Sequence, residues 1–268
     1  MLGVRFGFVL SVLLCVFIVL YVVTSLFFSL NRDLSGVVIV GGEVLLPLPD
    51  KVTTVSVEEA ILLRKSVREW ADTPISIEHL SLLLWASQGV VEEVDGWLRR
   101  AAPSAGATYP LEIYVVVGTE GVYLGDGGYL AAGVYKYDYR RNSVRIVREG
   151  DVRRELWEAT LRQDWVRDAP VSVVVCAVYE RTTWRYGERG VRYVHMEAGH
   201  VGQNIYLMSV ALGLGPVAIG AFHDEDVAEV IRAQRNEHPI YVFPVGVPQT
   251  QHFMSFKDLQ DLYSRLRG

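Results

Sequence analysis

The chain has 268 residues, a net charge of −5, half of its residues hydrophobic and about a fifth (21%) charged. That composition excludes a disordered chain, and the mild acidity with no long basic stripe argues against a nucleic-acid binder. The two cysteines, Cys15 in an apolar run and Cys176 in a strand-like run, are not expected to pair or to build a cysteine metal site.

From Phe6 to Leu30 no residue is charged. As a helix this run would reach roughly 37 Å, longer than the roughly 30 Å hydrocarbon core. A cleaved signal peptide is the rival reading, but its apolar region would be about 7–15 residues long and end in small residues. The expectation is a retained anchor over 1–30 (apolar span 6–30) and a single-pass protein of the cell membrane. The charge balance of Arg5 against Arg32 and Asp33 leans toward an inside N-terminus and leaves the side of the domain open.

Residues 31–53 read as a linker, broken by Gly41, Gly42, Pro47 and Pro49. Ser56 with Glu59 makes a capping box for a first helix. That helix runs into Arg64-Lys65-Ser66-Val67-Arg68-Glu69-Trp70, where three cations and a serine crowd together. In an extended segment Arg64, Ser66 and Arg68 point to one side and could grip a phosphate; a solvated helix end is the alternative. A second helix follows Pro74, with Ser76 as cap, Leu80, Leu83 and Leu84 as apolar face and Gly89 as stop.

Ala102–Pro110, with small residues between prolines, is a backbone-exposing loop suited to a flat ligand. No nucleophile elbow surrounds Ser104, so a hydrolase is not expected. Glu112–Gly118, Val171–Tyr179 and Ile240–Gly246 read as strands, and Gly133–Asp138 with Ser143–Val147 as a hairpin. A long helix is predicted over 191–212, with Ala198, Val201, Ile205, Met208 and Leu212 on one stripe and Gly199 and Gly202 allowing a close approach. His195 and Glu197 form an H-x-E without the cysteines of a zinc deaminase. His195 and His200 are off the spacing of a helical zinc pair, so no metal is expected. Gly213 and Gly215 follow a helix rather than a strand, which disfavours a Rossmann site. Ser255 and Asp258 cap a last helix. Irregular alternation of helices and strands predicts an α+β domain.

R-K-S-V-R-x-W, L-L-W-A-S-Q-G, R-R-A-A-P-S-A-G-A-T-Y-P-L-E, R-Y-G-E-R-G-V-R-Y, E-A-G-H-V-G-Q-N-I-Y-L and G-L-G-P-V-A-I-G-A-F, in this order, resemble the FMN-dependent nitroreductase superfamily, and most closely its SagB-type branch of thiazole/oxazole-forming peptide dehydrogenases. The resemblance implies a nitroreductase-like FMN-binding α/β sandwich over 54–268, dimeric, with FMN at the dimer interface and Gly199 and Gly202 in the contact. It assigns Arg64, Lys65, Ser66 and Arg68 to the phosphate, ribityl chain and flavin edge, Pro103, Ser104, Ala105 and Gly106 to the isoalloxazine, and Ile219 and Gly220 to its other side near N5. The branch's catalytic Lys–Tyr pair reads Arg185-Tyr186 here. After Gly246 no Lys or Arg occurs until Lys257, so phosphate binding would rest on the early cations.

The implied function is an FMN-dependent oxidoreductase passing a hydride from a small-molecule or peptide substrate, such as an azoline ring, to flavin N5 while Tyr186 takes a proton. The alternatives are an NAD(P)H-dependent nitro or quinone reductase and, outside enzymes, a membrane-anchored flavin-domain scaffold in a modification complex.

Overall fold

The computed structural model describes residues 38–40, 42–125 and 127–268. At its centre lie two strands that are apolar nearly throughout, β6 (Leu111–Val117) and β10 (Val171–Ala177). A strand half exposed to water would alternate polar and apolar residues; these do not, because both faces of the sheet are covered. On one face, Ile113, Val115, Val117, Val173 and Val175 pack against α2 (Ile77–Gln88) and the long α6 (Arg189–Ala211) through Leu80, Leu83, Leu84, Val194, Val201 and Ile205. On the other, Tyr114, Val116, Val174 and Cys176 meet α3 (Arg153–Ala159), α4 (Asp164–Asp168) and α7 (Asp224–Val230) through Leu156, Val166 and Val227. Each fully buried leucine or valine contributes roughly 1.5–3 kcal/mol.

The sheet is completed by β1 (Val38–Val40), β2 (Glu43–Leu45), β8 (Gly133–Asp138), β9 (Ser143–Glu149), β11 (Gly215–Pro216) and β12 (His238–Gly246). Its order is β1-β2-β9-β8-β6-β10-β12-β11, every pairing antiparallel. This is the expected α+β sandwich. Small pairs stand outside it: β3 (Ile75–Ser76) with β7 (Val122–Tyr123), and the hairpin β4 (Val90–Val94) with β5 (Trp97–Arg100). The remaining helices are α1 (Val57–Leu63), α5 (Glu180–Tyr186) and α8 (Phe256–Leu266).

Both capping boxes form: Ser56 with Glu59, and Ser255 with Asp258. Gly89 ends α2, but at φ −67° rather than in the left-handed region. Glycine is needed there for space, since a Cβ would sit 2.3 Å from Trp85 Cδ1. Within the stretch expected as a linker, β1 and β2 join the sheet edge, with Gly42 turning at φ 80°.

The expected transmembrane helix and cell-membrane location are corrected. No helix among the described residues is long and apolar enough to cross a membrane. The longest, α6, has 23 residues but carries Arg189, Arg192 and Glu197 as well as two histidines, so it is an amphipathic surface helix. The apolar span 6–30 lies outside the described residues.

Gly202 is also reassigned. A Cβ there would lie 2.9 Å from Phe243 of β12, so it faces this chain's own sheet; Gly199 is exposed, with nothing within 4 Å. Gly202→Ala is expected to cost about 1–3 kcal/mol through overpacking. Gly199→Ala should instead gain up to about 1 kcal/mol of helix propensity, unless a second copy packs there. Thermal unfolding with sedimentation of both variants checks this: a gain in stability with unchanged mass would remove Gly199 from a dimer contact.

Candidate functional site

α1 ends at Leu63, and Arg64 turns the chain into an extended segment at φ −60°, ψ 124°. Val67 fastens it to the glycine-rich segment: its N–H donates to Pro216 O at 2.9 Å, and Trp70 Nε1 donates to Gly215 O at 2.8 Å. Alternate residues then face outward. The Ser66 hydroxyl lies 2.9 Å from Tyr206 Oη, and the same phenol accepts from Ala218 N at 2.9 Å. The Arg64 guanidinium rests 5.3 Å from the Tyr206 ring centre. Tyr206 therefore gathers Arg64, Ser66 and the approach to Ile219 and Gly220. Ile219 is buried and pairs with Val242 at 2.9 and 3.0 Å, while Gly220 is exposed.

Arg68 lies farther along, 5.4 Å from the Trp165 ring. Lys65 points elsewhere, into a cavity of about 200 Å³ with Leu63, Gly213, Pro248 and Phe253. Among the described residues Arg64, Lys65 and Arg68 have no carboxylate in salt-bridge range.

The second group surrounds the small-residue loop. Pro103 is exposed, and the Ser104 hydroxyl accepts from Tyr109 N at 2.9 Å, closing the loop around a single turn over Ala105–Ala107. Gly106 (φ 59°), Ala107 (φ 53°) and Tyr109 (φ 44°) are all left-handed, which only glycine adopts without cost. α5 clamps the loop. Arg185 Nη1 donates to Gly106 O at 3.3 Å, Thr108 and Thr182 hydroxyls meet at 2.8 Å, and a Cβ on Gly106 would lie 2.4 Å from Tyr186 Oη. Tyr186 is braced edge-on by Tyr193 at 5.1 Å. The residues of the loop and the Arg185–Tyr186 pair, more than 70 positions apart, thus form one cluster.

Behind Ser104 lies a residue to which the sequence reading gave no role. Glu197 of α6 is 2% exposed. Burial pushes its carboxyl up to about 7, against the opposing influence of the Ser104 hydroxyl, the Gln88 amide and the Arg100 charge. Gln88 Nε2 donates to Glu197 Oε1 at 3.1 Å, and Gln88 Oε1 accepts from Arg100 Nη1 at 3.2 Å. The available signal was an acid directly beside Ala198 on the apolar stripe of the long helix.

Glu197 and Tyr206 stand nine residues apart on α6, a rise of about 13 Å. The helix is thus a shelf with a small-residue cradle and a phenol near one end, and the Ser66 hydroxyl with the Arg64 guanidinium near the other. Such a donor set fits a flat ring joined to an anion, which is what FMN offers.

Residues 61–247 match the nitroreductase family model. A nitroreductase-type protein of Methanocaldococcus jannaschii is 44% identical over 203 residues, covering 74% of this chain and 94% of that protein. The trifolitoxin-processing protein TfxB of Rhizobium leguminosarum bv. trifolii is 30% identical over 149 residues, 52% of this chain and 38% of that protein. Among solved structures, a nitroreductase-type protein of Ralstonia eutropha aligns with a TM-score of 0.66 at 28% identity, over 78% of this chain and 91% of that one. With most of its length inside the family model, and a relative of this identity matched almost end to end, the chain belongs to the nitroreductase family of oxidoreductases.

Proposed function

We propose that the protein is an FMN-dependent dehydrogenase of the SagB type that oxidises azoline rings in a modified peptide. The observation that carries this reading is the packing of Arg185 and Tyr186 against Gly106 of the small-residue loop. The processing role named for TfxB supports a peptide substrate.

FMN, when bound, would supply the two-electron acceptor. Arg64, Ser66 and Arg68, with Lys65 from its own side, would hold the phosphate and ribityl end. Pro103, Ser104, Ala105 and Gly106 would bed the ring, with Ile219 and Gly220 on its other side. A guanidinium offers donors and no acceptor, so Arg185 is not the proton acceptor. Its part is to hold the Gly106 carbonyl and orient the neighbouring phenol. Tyr186 then handles the proton that leaves with each ring oxidation. The substrate loses one hydride and one proton, two mass units per ring. Two copies of the chain, meeting through the exposed Gly199 side of α6, would enclose the site.

Tyr186→Phe should retain bound flavin, seen in the visible spectrum, and lower azoline oxidation by about 100-fold, the usual scale for a general base. Mass loss of a thiazoline-containing peptide gives the readout. A fully active Tyr186→Phe removes the proton role. A colourless protein that refuses added FMN removes the cofactor. The 44% identical nitroreductase-type relative favours a second reading, a reductase using NAD(P)H. Bleaching of the flavin by NADH or NADPH without peptide turnover would select it.

A further inference from the structure

The β4–β5 hairpin and the exit of the small-residue loop enclose a cavity of about 440 Å³ that the proposed reaction does not use. Trp97, Leu98, Arg100, Tyr109, Tyr139 and Arg140 line it. Its one carboxylate, Glu112, is already taken: Arg181 Nη2 lies at 2.6 Å and Lys136 Nζ at 3.3 Å. The cavity is therefore left with an excess of positive charge from Arg100 and Arg140. Among the described residues neither has a carboxylate in salt-bridge range.

Arg100 is the unusual member. It is 9% exposed, and its guanidinium sits between two phenol rings, 3.5 Å from the Tyr139 centroid and 4.6 Å from that of Tyr109. Its Nη1 reaches Gln88, and among the described residues its Nε is buried with no partner. A buried donor without a partner is costly until an acceptor arrives. A guanidinium fork matches a carboxylate with two parallel bonds. One side of the mouth is apolar: Trp97 is 76% exposed there, with Leu98 beside it. The volume lies in the range of small-molecule sites.

We propose that this cavity binds a small organic carboxylate with a flat apolar body, the carboxylate meeting Arg100 and Arg140 and the body lying on Trp97 and Leu98. A phosphate ester would satisfy the charge but not the aromatic mouth. The site stands on the hairpin and on Arg100, without regard to flavin, so failure of the cofactor reading leaves it intact.

Calorimetric titration of the full-length protein with benzoate, benzamide and inorganic phosphate tests it. Benzoate should bind, and benzamide, of the same shape but without charge, should bind at least about ten-fold more weakly, a loss expected for charge-assisted bonds. Inorganic phosphate at the same concentration should not displace benzoate. Arg100→Lys risks the fold because the side chain is stacked in the interior. Arg140→Ala, on the exposed rim, keeps the fold by circular dichroism and should weaken benzoate several-fold. Equal affinity for benzoate and benzamide would overturn the proposal, as would no binding of benzoate, displacement by phosphate, or an Arg140→Ala variant that binds benzoate unchanged.

Discussion

Glu197→Gln is expected to gain about 2–3 kcal/mol of stability relative to the unsubstituted protein as the pH rises from 5 to 8. Glu197 is held at about 7 by burial, whereas an unfolded carboxyl titrates near about 4.3. Between those values the folded chain keeps a proton that the unfolded chain has released. The folded pKa is raised, so the contribution is full below the unfolded value and is lost as pH rises through 7. Above that, an ionised carboxylate is buried with Gln88 and Ser104 as its partners and the Arg100 charge linked through Gln88. Glutamine keeps the shape and can still accept from Gln88, but never ionises. Urea midpoints of the two proteins at pH 5 and pH 8 measure the difference. A gap that stays constant across that range would mean that Glu197 does not titrate there. If the proposed reaction is right, the same carboxyl places a titrating proton behind Ser104, and the variant should also lose one limb of the pH–rate profile.

Lys136→Met is expected to destabilise the fold by about 3 kcal/mol at neutral pH, the lower end of the cost of orphaning a buried ion. Lys136 Nζ of β8 bonds Glu237, whose side chain is 2% exposed. Tyr114 Oη also donates to Glu237, as does Gln234 N at 3.1 Å. Burial alone pushes this carboxyl up, but the ammonium, the phenol and the amide outweigh it, and the net shift is downward. A lowered folded pKa adds stability above the unfolded value and loses it as pH falls through the folded one, a window below about pH 4.3. Removing the ammonium leaves burial to dominate, so the variant's deficit should shrink in acid as Glu237 takes a proton. Denaturation at pH 7 and pH 4 provides the comparison. An equal deficit at both would assign the loss to packing alone. Adding Glu237→Gln to Lys136→Met should recover much of the stability, because no charge is then stranded.

The parts of the fold legible from sequence were those written in local patterns. The Ser56–Glu59 and Ser255–Asp258 boxes are four-residue arrangements that act on their own helices. The β8–β9 hairpin and the apolar β6 and β10 runs follow from short-range composition. The β4–β5 hairpin escaped because it is a surface ribbon. Glu92 and Glu93 are exposed, so Val90–Val94 shows no period-two burial, although Asp95 (φ 50°) and Gly96 (φ 80°) form the two-residue turn such a hairpin needs. α3, α4 and α7 have five to seven residues, too few to show a helical period.

The sequence by itself determined that the chain folds as an α+β domain and that a cation-rich stretch, a small-residue loop and an Arg–Tyr pair follow one another in a family-like order. Tertiary structure alone decided which groups meet. Ser66 finds Tyr206 140 positions away, and Gln88 finds Glu197 109 positions away. No local periodicity encodes such distances; they follow from sheet order and from the side on which α6 is laid down. The same packing turned Gly202 inward onto Phe243 and sent Lys65 to another cavity. It also trapped Arg100 between two rings with its Nε unpartnered among the described residues, because a side chain's partners are set by the surfaces that close over it.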